Sequence, residues 1–567
     1  MEADSPSQSK LRRPALVRAL PRLSVVLALA AGLVLRWWML KHYFVVNGDA
    51  LVYGELAKNL LQHGCYGLVG AGGVLHPTLI RLPVYPLFLA LCFRFFGMEN
   101  YASAAWVQIV LELAGCLLLA DFAGRIAPAS LSPSRNRGAA HCTLWLAALC
   151  PFTAIYAAEP LTEGLTLFML ALALWSMERS YTRPAWGSAF SFTFAVTYAA
   201  LLRPDGALAA VALAPALLMG LWSREGRDQT AGAKEVAEKL GDSDENGEKH
   251  PSGAEAHVDS VGFMRGLKPP PPSASSFPAT YKARADLAGV ETRAEVLACQ
   301  PRRARSFNLL RMAMVCMLLA LTPFAAWTGR NWQVFHVFEP LAPRYANDPG
   351  QGTYPGWQRW VKTWCLDFVC TYDVYWPVPG SPLDLNKLPS RAFDSPAQYA
   401  ETAEIADDYN DRDNAADIVP DVDARFGKLA DERIAAHPLR YYLWLPLGRV
   451  ADMWLRPRVE NLNIDLDWWV YAHHRAETRF SWEYAGLNAF YLLLGIGGLC
   501  LRPRFWRPML AYMVLRSVLL ATVEAPEARY TLECFPMLFA LGGVALYRFT
   551  YWVFESVLKV KASAGKV

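Results

Sequence analysis

Four short patterns gather side chains able to hold and activate a phosphorylated substrate. Asp49 stands in Val46-Asn47-Gly48-Asp49-Ala50-Leu51-Val52-Tyr53, just past the first long apolar run, Leu23–Leu40. Arg81-Leu82-Pro83-Val84-Tyr85-Pro86, Leu161-Thr162-Glu163 and Glu527-Ala528-Arg529-Tyr530 lie beside later apolar runs, as do Arg203, before Pro204, and Arg330, before Asn331. A carboxylate just outside a membrane can take the proton of an attacking hydroxyl or amine. Guanidiniums grip phosphate oxygens in a two-pronged geometry. A single arginine at the end of a span is ordinarily a snorkelling anchor or the partner of an acid; Arg81, Arg203, Arg330 and Arg529 together point to an anion at one face, a phosphate joined to a lipid tail. Facing them stand Asp49, Glu55, Glu159, Glu163, Glu524 and Glu527. Glu159 and Glu524 read as structural partners of the arginines, and Asp49 and Glu163 as the catalytic acids. The apolar stripe Tyr53, Leu56, Ala57 and Leu60 predicts a short amphipathic helix that lies on the membrane and fixes Asp49. Glu163 opens an apolar helix, where the helix dipole favours negative charge.

The elements that must position these groups are membrane spans. The chain of 567 residues is 54% hydrophobic and 13% aromatic, with a mean hydropathy of +0.16. Its apolar runs approach the roughly 20 residues needed to cross a bilayer. Ten are expected: Leu23–Leu40, Tyr101–Phe122, His141–Ala158, Leu161–Met177, Ala185–Leu201, Gly206–Trp222, Leu309–Thr328, Tyr484–Leu501, Met509–Val523 and Leu532–Tyr547. Leu82–Phe96 and Tyr441–Leu455 are short enough to be re-entrant or interfacial. The basic residues before Leu23 resemble the front of a signal peptide, but the apolar run continues past Ala28-Leu-Ala30 to Arg36-Trp37-Trp38, read as an interfacial aromatic anchor, so an uncleaved first span is expected. With the N-terminus inside, the basic loops obey the positive-inside rule. The net charge of +4 is too small to suggest a nucleic-acid partner. Eleven cysteines without a C-x-x-C pair indicate neither a zinc site nor a disulfide scaffold, although Cys365 and Cys370 are placed to bridge or to stay reduced.

The expected organisation is an all-α polytopic membrane protein with about 10–12 transmembrane helices. Residues 1–22 form a cytoplasmic N-terminus, and 23–222 a transmembrane catalytic module with its first external loop at 41–100. A disordered cytoplasmic linker, 223–306, is too polar and proline-rich to bury a core. A span at 307–328, an α-rich external subdomain at 329–481, C-terminal spans at 482–550 and a cytoplasmic tail at 551–567 follow. In the external subdomain, Trp357, Trp360, Trp364 and the Trp468-Trp469 pair could cap a cavity or stack on sugars, and core packing explains most of them equally well.

The order Gly48-Asp49-x-x-x-Tyr53-x-x-Leu56-Ala57-x-Asn59-Leu60, Arg81-Leu-Pro-Val-Tyr-Pro-Leu-Phe-Leu-Ala90 and Leu161-Thr-Glu163-Gly-Leu165 resembles the multi-spanning GT-C glycosyltransferases, nearest to the ArnT-like and protein O-mannosyltransferase-like branch. Pro323-x-x-x-Trp327-Thr-x-Arg330-Asn331 and Glu527-x-Arg529-Tyr530-Thr extend the resemblance over 23–340 and 482–550. The resemblance implies the GT-C fold and an inverting transfer of a sugar from a polyprenyl-phosphate donor to an envelope lipid, glycan or protein acceptor. The setting it implies is the periplasmic face of a bacterial inner membrane. Asp49 would be the base or the acceptor-orienting residue, and Glu163 the second acid. Arg81, Arg203, Arg330 and Arg529 would hold the phosphate, and Tyr53, Tyr85 and Tyr530 would position substrate. The first loop lacks the paired acids of the protein mannosyltransferases, which lowers the case for a protein acceptor. It also lacks a D-x-D motif; no cofactor is implied, and His76 near Arg81 leaves room for a divalent metal. A lipid-linked glycan ligase or polymerase and a lipid flippase or transporter are the alternative readings.

Overall fold

The computed structural model describes residues 15–70, 72–128, 136–219, 310–412, 415, 417–470 and 472–564. The expected linker 223–306 and its basic end lie outside the described residues. The chain is mostly helical. In order, α1 (Ala15–Tyr43) is followed by α2 (Asp49–His63), strands β1 (Gly67–Val69) and β2 (Leu75–Pro77), α3 (Val84–Phe96) and α4 (Tyr101–Ile126). Then come α5 (Asn136–Ala148), α6 (Pro151–Ala154), α7 (Thr162–Thr182), α8 (Trp186–Leu202), α9 (Pro204–Met219) and α10 (Leu310–Phe335). Next are α11 (Pro355–Lys362), α12 (Phe368–Cys370), α13 (Pro396–Asp411), α14 (Pro420–Ala436) and α15 (Leu445–Leu455), and then α16 (Arg475–Cys500), α17 (Trp506–Leu520) and α18 (Phe535–Ala564). Two compact units are distinguished, 1–217 with 318–567 and 218–317; the described part of the second is the end of α9 and the start of α10.

Four helices among the described residues are long and apolar enough to cross a membrane: Arg22–Tyr43, Tyr101–Ile126, Leu310–Phe335 and Ala528–Ser556. A fifth crossing arises if α5 and α6, bent by 48° where Pro151 interrupts the ladder of backbone hydrogen bonds, count as one span. The other expected spans fall on α7, α8, α9, α16 and α17, which are shorter or more polar. At about 1.5 Å per residue, the 13-residue α3 reaches only about 20 Å, short of the roughly 30 Å hydrocarbon core.

The first loop carries a short hairpin beside its helices: β1 and β2 pair antiparallel with Leu68 opposite His76, and Glu55 Oε1 accepts from Val69 N at 2.7 Å. One local expectation changes. The stripe on α2 packs against protein: Ala57, with Tyr53 and Leu60 at its edge, joins a core with Tyr85, Leu89 and Phe93 of α3. Trp37 and Trp38 are exposed, whereas Arg36 turns into the bundle. It is 1% exposed, its Nε lies 2.8 Å from Glu112 Oε2 on α4, and its Nη1 donates to the Ala148 carbonyl at 2.8 Å. A partner 76 residues away is what makes a guanidinium tolerable inside an apolar bundle.

Helices α5, α16 and α18 approach closely through small residues. A Cβ on Gly498 of α16 would lie 2.2 Å from the Leu541 carbonyl oxygen, and one on Gly543 of α18 would lie 1.9 Å from Thr143 Oγ1. Gly498→Val must therefore spread two helices, and a loss of about 1–3 kcal/mol is expected, read as a lower midpoint of thermal unfolding in detergent. A wild-type midpoint would contradict this packing.

Segment 336–474 has its own core. Trp357, Trp360 and Trp364 are buried together with Phe426, Leu429 and Ile405, so these tryptophans are packing residues with no face left for a sugar. Cys365 and Cys370 are joined in a disulfide.

Candidate active site

Asp49 is the first residue of α2, preceded by Gly48 at φ +48°, a backbone conformation that glycine adopts without penalty. The carboxylate is thus set at a helix N-terminus. Arg81 Nη2 donates to Asp49 Oδ1 at 2.6 Å, and Arg529 Nη2 lies 3.7 Å from Asp49 Oδ2. Burial pushes the Asp49 carboxyl up, but Arg81 and Arg529 outweigh it and hold it below the ordinary carboxylate range. Tyr66 fixes the Arg81 loop by donating its hydroxyl to the Arg81 carbonyl at 3.0 Å.

Behind this pair the arginines and acids interlock. Glu163, in the first turn of α7 and 2% exposed, accepts from Arg203 Nη1 at 2.9 Å and lies 3.8 Å from Arg529 Nη1. Arg203, at the C-terminal end of α8, also faces Glu533 at 3.0 Å and Asp205 at 3.4 Å. The buried Arg516 of α17 closes the ring, 2.7 Å from Glu533 and 3.0 Å from Asp205. The turn carrying Glu527, Arg529 and Tyr530 is pinned by Arg458, which donates to the Ala528 carbonyl at 2.7 Å, and by Arg516 Nε, which donates to the Tyr530 carbonyl at 2.6 Å. Glu527 faces Arg529 at 2.5 Å and accepts from the Tyr530 hydroxyl. Arg81, Arg203 and Arg529 stay partly exposed. A guanidinium carries five N–H donors, which leaves donors for a further anion.

Two cavities meet here, and Asp49, Leu161 and Arg529 line both. The smaller, about 530 Å³, has Arg81, Arg203, Arg344 and Tyr53 on its wall. Burial and the nearby Asp49 push the Tyr53 hydroxyl up to about 12, so it keeps its proton and can donate. The larger, about 840 Å³, is lined by Tyr372, Trp376, Asn461, Asn463, Glu159 and Glu460 among others.

The structure therefore brings Asp49, Glu163, Arg81, Arg203, Arg529, Tyr53 and Tyr530 together. It sets Arg330 apart: Nη1 donates to the Thr78 carbonyl and Nη2 to the Tyr66 carbonyl, both at 2.8 Å, and Arg330 lines neither cavity. Tyr85 lies beneath Tyr53, its buried hydroxyl donating to Gln108 Oε1 at 2.6 Å. Glu524 pairs with Arg344 at 2.7 Å. Sequence reasoning missed Arg344, Arg516, Glu533 and the cavity-facing rings of Tyr372 and Trp376; the Pro204-Asp205 step after Arg203 was the nearest signal to the ring. Among the described residues, one group has metal-ligand types within mutual reach: Asp465, Asp467 and His474. It lines neither cavity. His76 stands exposed on β2.

No protein-family model matches the chain, and no curated protein or solved structure does. A functional reading therefore rests on the residues themselves.

Proposed function

We propose that this protein is a membrane glycosyltransferase that moves a sugar from a polyprenyl-phosphate donor to a cell-envelope acceptor with inversion at the anomeric carbon. The observation that carries the reading is the junction of an arginine-lined cavity with a second, aromatic and amide-lined cavity at Asp49 and Arg529. Inversion requires the nucleophile and the leaving group on opposite sides of the reacting carbon. Two cavities that share one wall supply those two sides.

In this reading the donor phosphate sits among Arg81, Arg203 and Arg529, where cations stabilise the charge that develops as it departs. Its prenyl chain lies along α3, whose Leu87, Leu91 and Phe95 form an exposed stripe at helical spacing. The acceptor occupies the larger cavity, with Tyr372 and Trp376 offering apolar faces to a ring. Asp49 aligns Arg81 and Arg529 and orients the acceptor. Buried Glu163 braces Arg203 and Arg529. The ten-span topology, the GT-C fold and an active site facing the periplasm belong to this proposal.

Arg344 is 65% exposed on the wall of the smaller cavity, held by Glu524. Arg344→Ala should raise the donor KM about tenfold and leave kcat near wild type, because the lost contact is a ground-state one. An unchanged KM would remove Arg344 from the donor path. A flippase has one observation in its favour, the Arg36–Glu112 pair inside the bundle, but that pair is sealed, with both side chains almost wholly buried. The reading as a whole is tested by donor consumption in liposomes.

A further inference from the structure

The larger cavity carries four carboxylates, and three already hold a cation: Asp49 faces Arg81 at 2.6 Å, Glu460 faces Arg456 at 2.7 Å and Glu527 faces Arg529 at 2.5 Å. Glu159 differs. Its backbone is tied, the carbonyl accepting from Gln108 Nε2 at 3.3 Å and from Leu161 N at 2.8 Å, and Gln108 is itself held by Tyr85. Among the described residues none donates a hydrogen bond to its carboxylate or lies within ion-pair distance of it, and Arg529 acts on it only from farther off. The chain thus fixes the position of this acid and leaves its oxygens to the cavity. Glu159 is partly buried, and an unpaired carboxylate held in a cleft with its oxygens open to the cavity is placed to take a proton.

We propose that Glu159 is the general base of the transfer, taking the proton of the acceptor's hydroxyl or amine within the larger cavity. The inference rests on the glycosyl-transfer reading above. It divides the work of the acids: Asp49 holds the arginines that receive the phosphate, and Glu159 receives the proton. The acceptor's lone pair forms the new bond to the anomeric carbon, and the bond from that carbon to the phosphate oxygen breaks. The electron pair stays on the phosphate beside Arg81 and Arg203, and the proton passes to a Glu159 oxygen and then to water.

Proton affinity supports the division. Burial and the neighbouring Glu163 push the Glu159 carboxyl up to about 7, against the pull of Arg529. A base works best with a pKa near the working pH, whereas Asp49, held low by two arginines, accepts a proton poorly. Tyr156, His42, Asp49, Glu460 and Glu527 share its cavity.

The test compares wild type, Glu159→Gln and Glu159→Asp, purified in liposomes with labelled polyprenyl-phosphate sugars and crude envelope acceptor, reading kcat/KM against pH. A base must be deprotonated to act, so wild-type kcat/KM should rise with pH below about 7 and level off above it. Glu159→Gln should lose about a hundredfold and lose that acid limb, while the donor KM changes less than twofold. Glu159→Asp should regain part of the rate together with the limb. Because Gln removes an unpaired charge, its thermal midpoint should match or exceed wild type. Turnover in wild type with the same limb in Glu159→Gln, or a Glu159→Gln protein that fails to fold, overturns this assignment alone. Wild type that consumes no donor overturns the transferase reading and this inference with it.

Discussion

Arg203→Ala is expected to destabilise the protein by about 3–5 kcal/mol, the cost of leaving buried charges without their partner. Arg203 faces Glu163 at 2.9 Å, Glu533 at 3.0 Å and Asp205 at 3.4 Å, and the first two of these acids are almost wholly buried. Removing the guanidinium leaves Glu163 with Arg529 at 3.8 Å and Glu533 with Arg516 at 2.7 Å, contacts that already serve other acids. Thermal unfolding in detergent reads the effect. Arg203→Lys should recover only part of it, since one ammonium cannot address acids along two edges as a planar guanidinium does. Adding Glu533→Gln to Arg203→Ala should also return part of the loss, because the two residues touch and their effects are coupled. A midpoint at the wild-type temperature for Arg203→Ala would mean that the ring of charges does not hold this end of the helices together.

Asp49→Asn should lower transfer about a thousandfold, from misplaced reacting groups and lost electrostatic stabilisation together. The substitution keeps the side-chain shape and removes the charge that Arg81 meets at 2.6 Å and Arg529 at 3.7 Å. Both guanidiniums are then free to turn toward Glu163 and Glu527, away from the shared wall of the two cavities. The acid limb of the pH profile should persist in Asp49→Asn, unlike in Glu159→Gln, because Asp49 is assigned to orientation. Loss of that limb in Asp49→Asn would return the role of base to Asp49. The protein should stay folded, since Asp49 is only partly buried.

Much of the frame was legible in the chain. Apolar runs marked the positions of helices because burial or lipid contact demands them, and Asp49, Glu163, Arg203 and Arg529 were visible as charges at the ends of those runs. Spacing could not separate an arginine that meets the cluster from one that ties down a loop, so Arg330, committed to the Tyr66 and Thr78 carbonyls, looked the same as Arg81. Glu159 looked like a structural partner because its lack of an ion-pair contact among the described residues depends on where distant segments fall. Glu533 and Arg516 sit inside apolar stretches whose charges gain meaning only when α17 meets Arg203 and Asp205. The tryptophans of 336–474 showed a different limit: composition gives aromatic content, and only packing decides that Trp360 is core while Trp376 lines a cavity.

The central claim is the reaction class, and it is tested most directly by sugar transfer from a panel of labelled polyprenyl-phosphate sugars to crude envelope acceptors, using the purified protein in liposomes beside its Asp49→Asn variant. The proposal predicts that wild type consumes one donor of the panel, yields a glycosylated acceptor and free polyprenyl phosphate, and that both products collapse in the variant. Folded wild-type protein that consumes no donor in any condition would contradict it and move the assignment to a lipid flippase or a lipid-linked glycan ligase.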